Sequence, residues 1–310
     1  MAQVSMQQVK ELRDRTQAGL NDCRSALMEA EGDMDKAVEV ILKKGLAKSA
    51  KRAGAVAAEG EVAAKVSANG QSGVLVEVNI QTDFAARNDE FRAFVQKVLE
   101  AAEKAAPGSD LGGEPMPGGS GSVDDARQAL VGKLGENIQI RRWERIALEG
   151  AGLVQAYVHM GGKIGVLLAV ETASADAAKK PEVAKLAEDV AMQVAAMSPT
   201  YLGKAEVPDD AKQKQSEIYD AQLVEEGKPD KARPGIIQGK LGKWMKEICL
   251  LEQQSVLETD KSIDQVRAET EKAAGAPVKI ARFVRFQLGE GVEKPQGPDF
   301  ASEVAKMAGG

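Results

Sequence analysis

Gly73-Val74-Leu75-Val76-Glu77-Val78, followed after two residues by Gln81-Thr82-Asp83-Phe84-Ala85-Ala86-Arg87-Asn88, is the stretch that decides how the chain folds. The first run is short, mostly apolar and β-branched, which predicts a strand. From Glu90 to about Lys104, Phe91, Phe94, Val95, Val98, Leu99 and Ala102 recur at helical spacing, which predicts an amphipathic helix. Residues 81–88 are then a strand-to-helix connection, the kind of surface segment that often carries function. Two readings fit it. Asp83 can cap the coming helix with Phe84 packed beneath, or ring and carboxylate together can enter a pocket on a partner.

Upstream, Val62, Ala64 and Val66 alternate before a polar turn at residues 67–72, which predicts a hairpin. Downstream, residues 106–124 are rich in Gly, Pro and Ser without periodicity and predict a flexible loop. A helix over 126–133 and a strand around 138–143 close the unit. The plan then repeats: Gly60, Val62, Val66 and Gly73 recur as Gly152, Val154, Val158 and Gly165, all displaced by the same step, and Phe91, Val95 and Val98 become Val183, Ala187 and Val190. Gly132-Lys133-Leu134-Gly135 matches Gly239-Lys240-Leu241-Gly242 at a larger step, which implies an insertion in the second copy. The smaller step sets Ala175 opposite Asp83 and Asp176 opposite Phe84. A cap and packing residue demanded by the fold would have equivalents in both copies, so their loss from one favours function.

The fold class expected is α+β: an N-terminal three-helix head, two related subdomains with antiparallel sheets, an inserted helical hairpin and a C-terminal helix. Domain boundaries follow at residues 1–54 for the head, 55–148 for the first subdomain, 149–207 with 244–288 for the second, 208–243 for the hairpin and 289–310 for the end. In the head, a Ser5–Gln8 capping box starts helix one, Gly19 stops it, Asn21 or Asp22 caps helix two, and Asp33 or Asp35 opens helix three. So small a bundle buries little and suits a docking role. The hairpin turns at Glu226-Gly227-Lys228-Pro229 and suits a partner or self-association surface. Ile248 to Val256 and Val278 to Leu288 read as strands, and Asp299 to Met307 as a last short helix.

The chain has 310 residues, enough for more than one core. Aromatic residues are only 4% against 43% hydrophobic, so the cores rest on aliphatic packing. The net charge of -6 argues against direct nucleic-acid binding, which needs clustered positive charge. Cys23 and Cys249 fit no zinc or redox spacing and are expected as buried thiols. No apolar run suits a membrane span, and a cytoplasmic location is expected. Phosphate-loop, dinucleotide and HExxH motifs are missing. The single histidine, His159, lies at a hairpin tip without a nucleophile-elbow motif. Neither catalysis, nor a cofactor, nor a metal site is expected.

Val9-Lys10-Glu11-Leu12-Arg13, Asp22-Cys23, Gln81-Thr82-Asp83-Phe84 with Ala86-Arg87-Asn88, Leu134-Gly135-Glu136-Asn137, His159 with Gly162-Lys163-Ile164-Gly165-Val166, Gly227-Lys228-Pro229 and Cys249-Leu250-Leu251-Glu252-Gln253 resemble, in this order, the bacterial elongation factor Ts family. The resemblance implies a guanine-nucleotide exchange factor that binds elongation factor Tu in its GDP-bound and nucleotide-free states, with a homodimer or a 2:2 complex as the assemblies expected. It implies that Thr82, Asp83 and Phe84 act at the partner's magnesium site. It further implies that a head like a ubiquitin-associated (UBA) domain docks through Arg13, Leu20 and Asn21, that His159 meets another domain of the partner, and that a C-terminal helix near Phe300 gives support. Ile80 and Ala85 depart from the Cys and Val common in relatives. The alternative is a non-catalytic UBA-type scaffold whose head is the active part.

Overall fold

The computed structural model describes residues 4–16 and 18–293; the helix expected over 299–307, with Phe300, lies outside the described residues. Three helices open the chain: α1 (Met6–Thr16), α2 (Leu20–Glu29) and α3 (Met34–Arg52). They enclose Val9, Leu12, Cys23, Ala26, Leu27 and Ala37. The Ser5–Gln8 box forms, the Gln8 amide donating to Ser5 Oγ at 3.2 Å. Asp33 Oδ1 accepts from the Asp35 and Lys36 amides and starts α3. The expected cap of α2 is corrected. That helix begins at Leu20 on Gly19, with no side-chain cap, so Asn21 and Asp22 fall inside its first turn.

The first copy of the repeat follows as β1 (Glu59–Val66), β2 (Ser72–Ile80), α4 (Asp83–Ala86), α5 (Asp89–Lys104), α6 (Val123–Leu134) and β3 (Ile138–Ala147). The second runs β4 (Gly152–His159), β5 (Ile164–Thr172), α7 (Ala175–Ala178) and α8 (Pro181–Met197). It is then interrupted by α9 (Asp209–Glu225) and α10 (Arg233–Ile248), and resumes with α11 (Ile263–Ala274) and β6 (Val278–Gln287). Two three-stranded antiparallel sheets result, ordered β1-β2-β3 and β4-β5-β6. The repeat has a steric signature. A Cβ on Gly60 would stand 2.2 Å from the Val78 carbonyl oxygen, and one on Gly152 would stand 2.2 Å from that of Val170. Only glycine lets the paired strands approach so closely at both places.

Two expectations about the second copy change. The counterpart of α6 is α11, not the Gly239–Gly242 segment, which lies within α10. Both helices start with a capping box, at Ser122 with Asp125 and at Ser262 with Gln265, and both end on a left-handed glycine, Gly135 and Gly275. Arg127 donates to the Ile138 carbonyl and Arg267 to that of Val278, each at 3.0 Å. A four-residue match without shared hydrogen bonding was too short to fix the register. The insertion is therefore the α9–α10 hairpin itself. Residues 248–256 also form no strand: α10 runs to Ile248, and a 3-10 turn, Leu250–Glu252, follows. Cys249 and Leu250 are buried there, Leu250 in the core against α8, and the segment is held by side-chain hydrogen bonds, Gln253 Nε2 to the Glu247 carbonyl at 2.7 Å and Gln193 Nε2 to Gln253 Oε1 at 3.1 Å, rather than by a ladder. Likewise the Gly- and Pro-rich segment after α5 contains hydrogen-bonded turns: Leu111 is buried in a 3-10 turn capped by Asp110, and Trp143 Nε1 donates to the Ser109 carbonyl at 2.9 Å.

The chain divides into two compact units. One contains the head, most of the first copy and the segment after β6; the other contains the β1–β2 tip, Ala64–Leu75, with Glu144–Phe286. In the first unit α3 crosses α6 so closely that a Cβ on Gly132 would lie 2.9 Å from Gly45 Cα. Glu77, fully buried on β2, accepts from Arg141 at 2.9 Å, from Arg142 at 2.6 Å and from the Gly289 amide at 2.8 Å. The core of the second unit packs Val166, Leu168 and Val170 against Val183, Leu186, Val190 and Val194 of α8, with Ile263, Val278 and Ile280 completing it. The hairpin turns at Gly227 (φ 69°), Pro234 lies in the first turn of α10, and Arg233 reaches across to Asp220 at 2.8 Å. Both cysteines are free and buried. Among the described residues no helix is long and apolar enough to cross a membrane.

Candidate functional site

β2 delivers the chain at Ile80 to a turn held by two caps. Thr82 is extended, and its Oγ1 accepts from the Ala85 amide at 3.2 Å, starting α4. Asn88 Oδ1 then accepts from the Glu90 amide at 2.8 Å and starts α5. Four residues of helix between two caps leave the backbone little freedom. Neither Asp83 nor Phe84 takes the local role that the sequence allows it. Thr82 is the cap, and Phe84 is 80% exposed while Phe91 and Phe94 fill the core beneath α5. Burying such a ring against a partner would return about 1.5–3 kcal/mol. Asp83 Oδ2 pairs with Arg87 Nη2 at 3.0 Å, an exposed contact worth little in water and easily exchanged for another cation.

A second layer holds this turn. Glu136, just after α6, accepts from the Thr82 amide at 3.1 Å through Oε2 and from Thr82 Oγ1 at 2.8 Å through Oε1. Gln81 Oε1 accepts from the Asn137 amide at 2.7 Å. The Asn137 side chain, itself buried, donates to the carbonyls of Ala53 and Ala55 on the chain leaving the head, at 3.4 and 2.7 Å. Sequence reasoning singles out Leu134-Gly135-Glu136-Asn137 but gives it no role. The corrected register of the repeat exposes the signal, because the positions matching Glu136 and Asn137 are Ala276 and Pro277.

The matching turn of the second copy keeps only the cap. Ser174 Oγ accepts from the Ala177 amide at 3.2 Å at the start of α7, followed by Ala175 and Asp176 where the first copy has Asp83 and Phe84. Elsewhere, Arg13 is exposed on α1 and Leu20 and Asn21 are exposed on α2. His159 ends β4 in the other unit, opposite Ile164. Its ring stacks on Tyr157, centroids 5.8 Å apart, with Tyr157 Oη 2.8 Å from Nδ1. Met160 beside it is 72% exposed. The structure thus unites Thr82, Asp83 and Phe84 in one turn, places Arg13, Leu20 and Asn21 on the head, and carries His159 on a separate hairpin. A cleft of about 910 Å³ lies beside the α3–α6 crossing, lined by Asp22, Ile41, Leu42, Ala129 and Lys133, and none of these candidate site residues lines it.

By fold this is a duplicated α+β protein with helical additions, and by site one that presents a ring and a carboxylate outward instead of lining a pocket with them. A family model described as elongation factor TS matches residues 81–290, starting at Gln81 of the braced turn. Elongation factor Ts of Clostridium perfringens is 45% identical over 310 residues, covering 99% of each chain. That of a Nitratiruptor species is 45% identical over 302 residues, 97% of this chain and 98% of its own. That of Trichlorobacter lovleyi is 43% identical over 309 residues, 99% of each. The chain belongs to the elongation factor Ts family and is, with it, a translation elongation factor.

Proposed function

We propose that this chain promotes GDP release from elongation factor Tu by inserting Phe84 and Asp83 beside the partner's magnesium and phosphate groups. The observation that carries the reading is a phenyl ring 80% exposed on a turn fixed by two caps and a carboxylate brace. Mg²⁺ demands near-ideal octahedral oxygen geometry, so a wedge that shifts one ligand weakens nucleotide binding disproportionately. Linkage makes the effect reciprocal: a factor that weakens GDP binding is itself bound more weakly when GDP is present, by the same ratio. Such exchange needs no catalytic or nucleotide site on this chain. The UBA-like head would dock through Arg13, Leu20 and Asn21, while His159 and the segment around Phe300 would meet other surfaces of the partner. This reading places the protein in the cytoplasm without direct nucleic-acid contact, as a single factor or in a 2:2 complex.

Stopped-flow release of a fluorescent GDP from elongation factor Tu tests it. Asp83→Ala with Phe84→Ala should slow release by about tenfold or more, roughly the loss of one wedge-derived stabilisation of 1.4 kcal/mol or above. Melting should be nearly unchanged, because Phe84 is exposed and the Asp83–Arg87 pair is a surface contact worth little. Release as fast as with the unaltered chain would defeat the mechanism.

A further inference from the structure

We infer that Glu136, seconded by Gln81 and Asn137, is the positioning element that aims the Asp83–Phe84 turn. The inference rests on the exchange reading above and adds to it residues that act through the turn. A four-residue helix on an exposed loop has almost no intrinsic stability, because one turn of helix fixes several dihedrals for very few hydrogen bonds. Thr82 meets part of that deficit by capping. Glu136 meets more of it by taking both the amide hydrogen and the hydroxyl hydrogen of Thr82, which fixes the hydroxyl so that its lone pair faces the Ala85 amide. One carboxylate thereby orients the cap that orients the ring. Two charge-assisted hydrogen bonds to one residue define direction as well as distance.

The second copy serves as an internal control. It retains the strand, the capping hydroxyl as Ser174, the short helix and the long helix behind it. It has lost the wedge, as Ala175 and Asp176, and with it the whole brace: Ala173 stands for Gln81, Ala276 for Glu136 and Pro277 for Asn137. Folding of the repeat therefore does not require the brace, and wedge and brace occur together. Asn137 adds a further link. By holding the Ala53 and Ala55 carbonyls, it ties the chain leaving the head to the same dipeptide that holds the turn, so head and wedge share one anchor.

The test uses the full chain with Glu136→Ala and Glu136→Gln, assayed against elongation factor Tu loaded with fluorescent GDP. Glu136→Ala should lower the maximal release rate about tenfold at saturation, with the half-saturating concentration moved less than about twofold, since docking surfaces elsewhere are untouched. Glu136→Gln keeps an oxygen for the Thr82 hydroxyl and should recover the rate to within about threefold. Amide exchange of Ala85 and Ala86 should quicken about tenfold in Glu136→Ala, at an unchanged melting temperature. A full rate in Glu136→Ala, with Asp83→Ala/Phe84→Ala slow, would overturn the positioning role and leave the exchange reading standing. If the wedge double variant is itself fast, the exchange reading fails, and amide exchange alone judges the brace: unchanged protection at Ala85 and Ala86 would overturn it.

Discussion

Glu77 shows how much a single residue can conceal. On β2 it follows Val76 and precedes Val78, and by alternation it reads as the solvent side of a strand, yet it is fully buried. Burial opposes its ionisation, but the Gly289 amide and the guanidiniums of Arg141 and Arg142 outweigh that penalty and hold its carboxyl below the ordinary glutamate range. A carboxyl whose folded value is depressed contributes stability that is complete above its unfolded value, here near the ordinary 4.5, and is lost as pH falls through the folded value. Acid unfolding followed by circular dichroism should accordingly show stability declining below about pH 4.5, and Glu77→Gln should flatten that decline. At pH 7 the same substitution should cost about 3 kcal/mol in urea melts, because Arg141 loses its carboxylate partner and Arg142 one of its two. Phe84 is the opposite case: an apolar residue that the sequence leaves open between packing beneath the helix and entering a partner, and that stands 80% exposed. In both, whether the side chain is covered depends on which distant segments arrive beside it.

Elements are legible where local periodicity and capping suffice. α5 begins within a residue of its expected start and ends at Lys104, and the Ser5–Gln8 box, the hairpin turn at Gly227 and strand β6 stand where the residues place them. Helix α11 escapes a reading by periodicity although Ser262 and Gln265 spell its start, because no long apolar stripe follows; only Ile263 and Ala274 of that helix are fully buried. The crossing of α3 and α6 is not legible at all, since Gly45 and Gly132 are ordinary helical glycines until one is set against the other. Gly132→Val should drive the helices apart, as its Cβ would start 2.9 Å from the Gly45 backbone. We expect a loss of about 1–3 kcal/mol and faster tryptic cleavage at Arg52, read by limited proteolysis.

At the scale of the molecule, duplication is the organising fact. Two copies of one strand–strand–helix–helix–strand plan carry different additions: the first has the braced wedge and the head before it, the second the α9–α10 hairpin. Deleting residues 1–54 distinguishes the exchange reading from a UBA-type scaffold. The truncated chain should still melt cooperatively, a few degrees lower because α6 loses the cover of α3. It should still accelerate GDP release, with weakened affinity, where a head-only binder would lose all association with elongation factor Tu.

The sequence alone determined the helices and strands with clear periods, the caps at Ser5 and Asp33, the existence of two copies and the departure of residues 83 and 84 from the pattern of the second. These are properties of residues near one another in the chain, or of two stretches compared. Tertiary structure decided that Phe84 stands in solvent, that Thr82 rather than Asp83 is the cap, that Glu77 is buried among guanidiniums, and that Glu136 and Asn137 reach back more than fifty positions to hold the turn. Exposure and hydrogen-bond partnership depend on which distant segments arrive at the same place. A local pattern can limit that choice, but only the packed chain makes it.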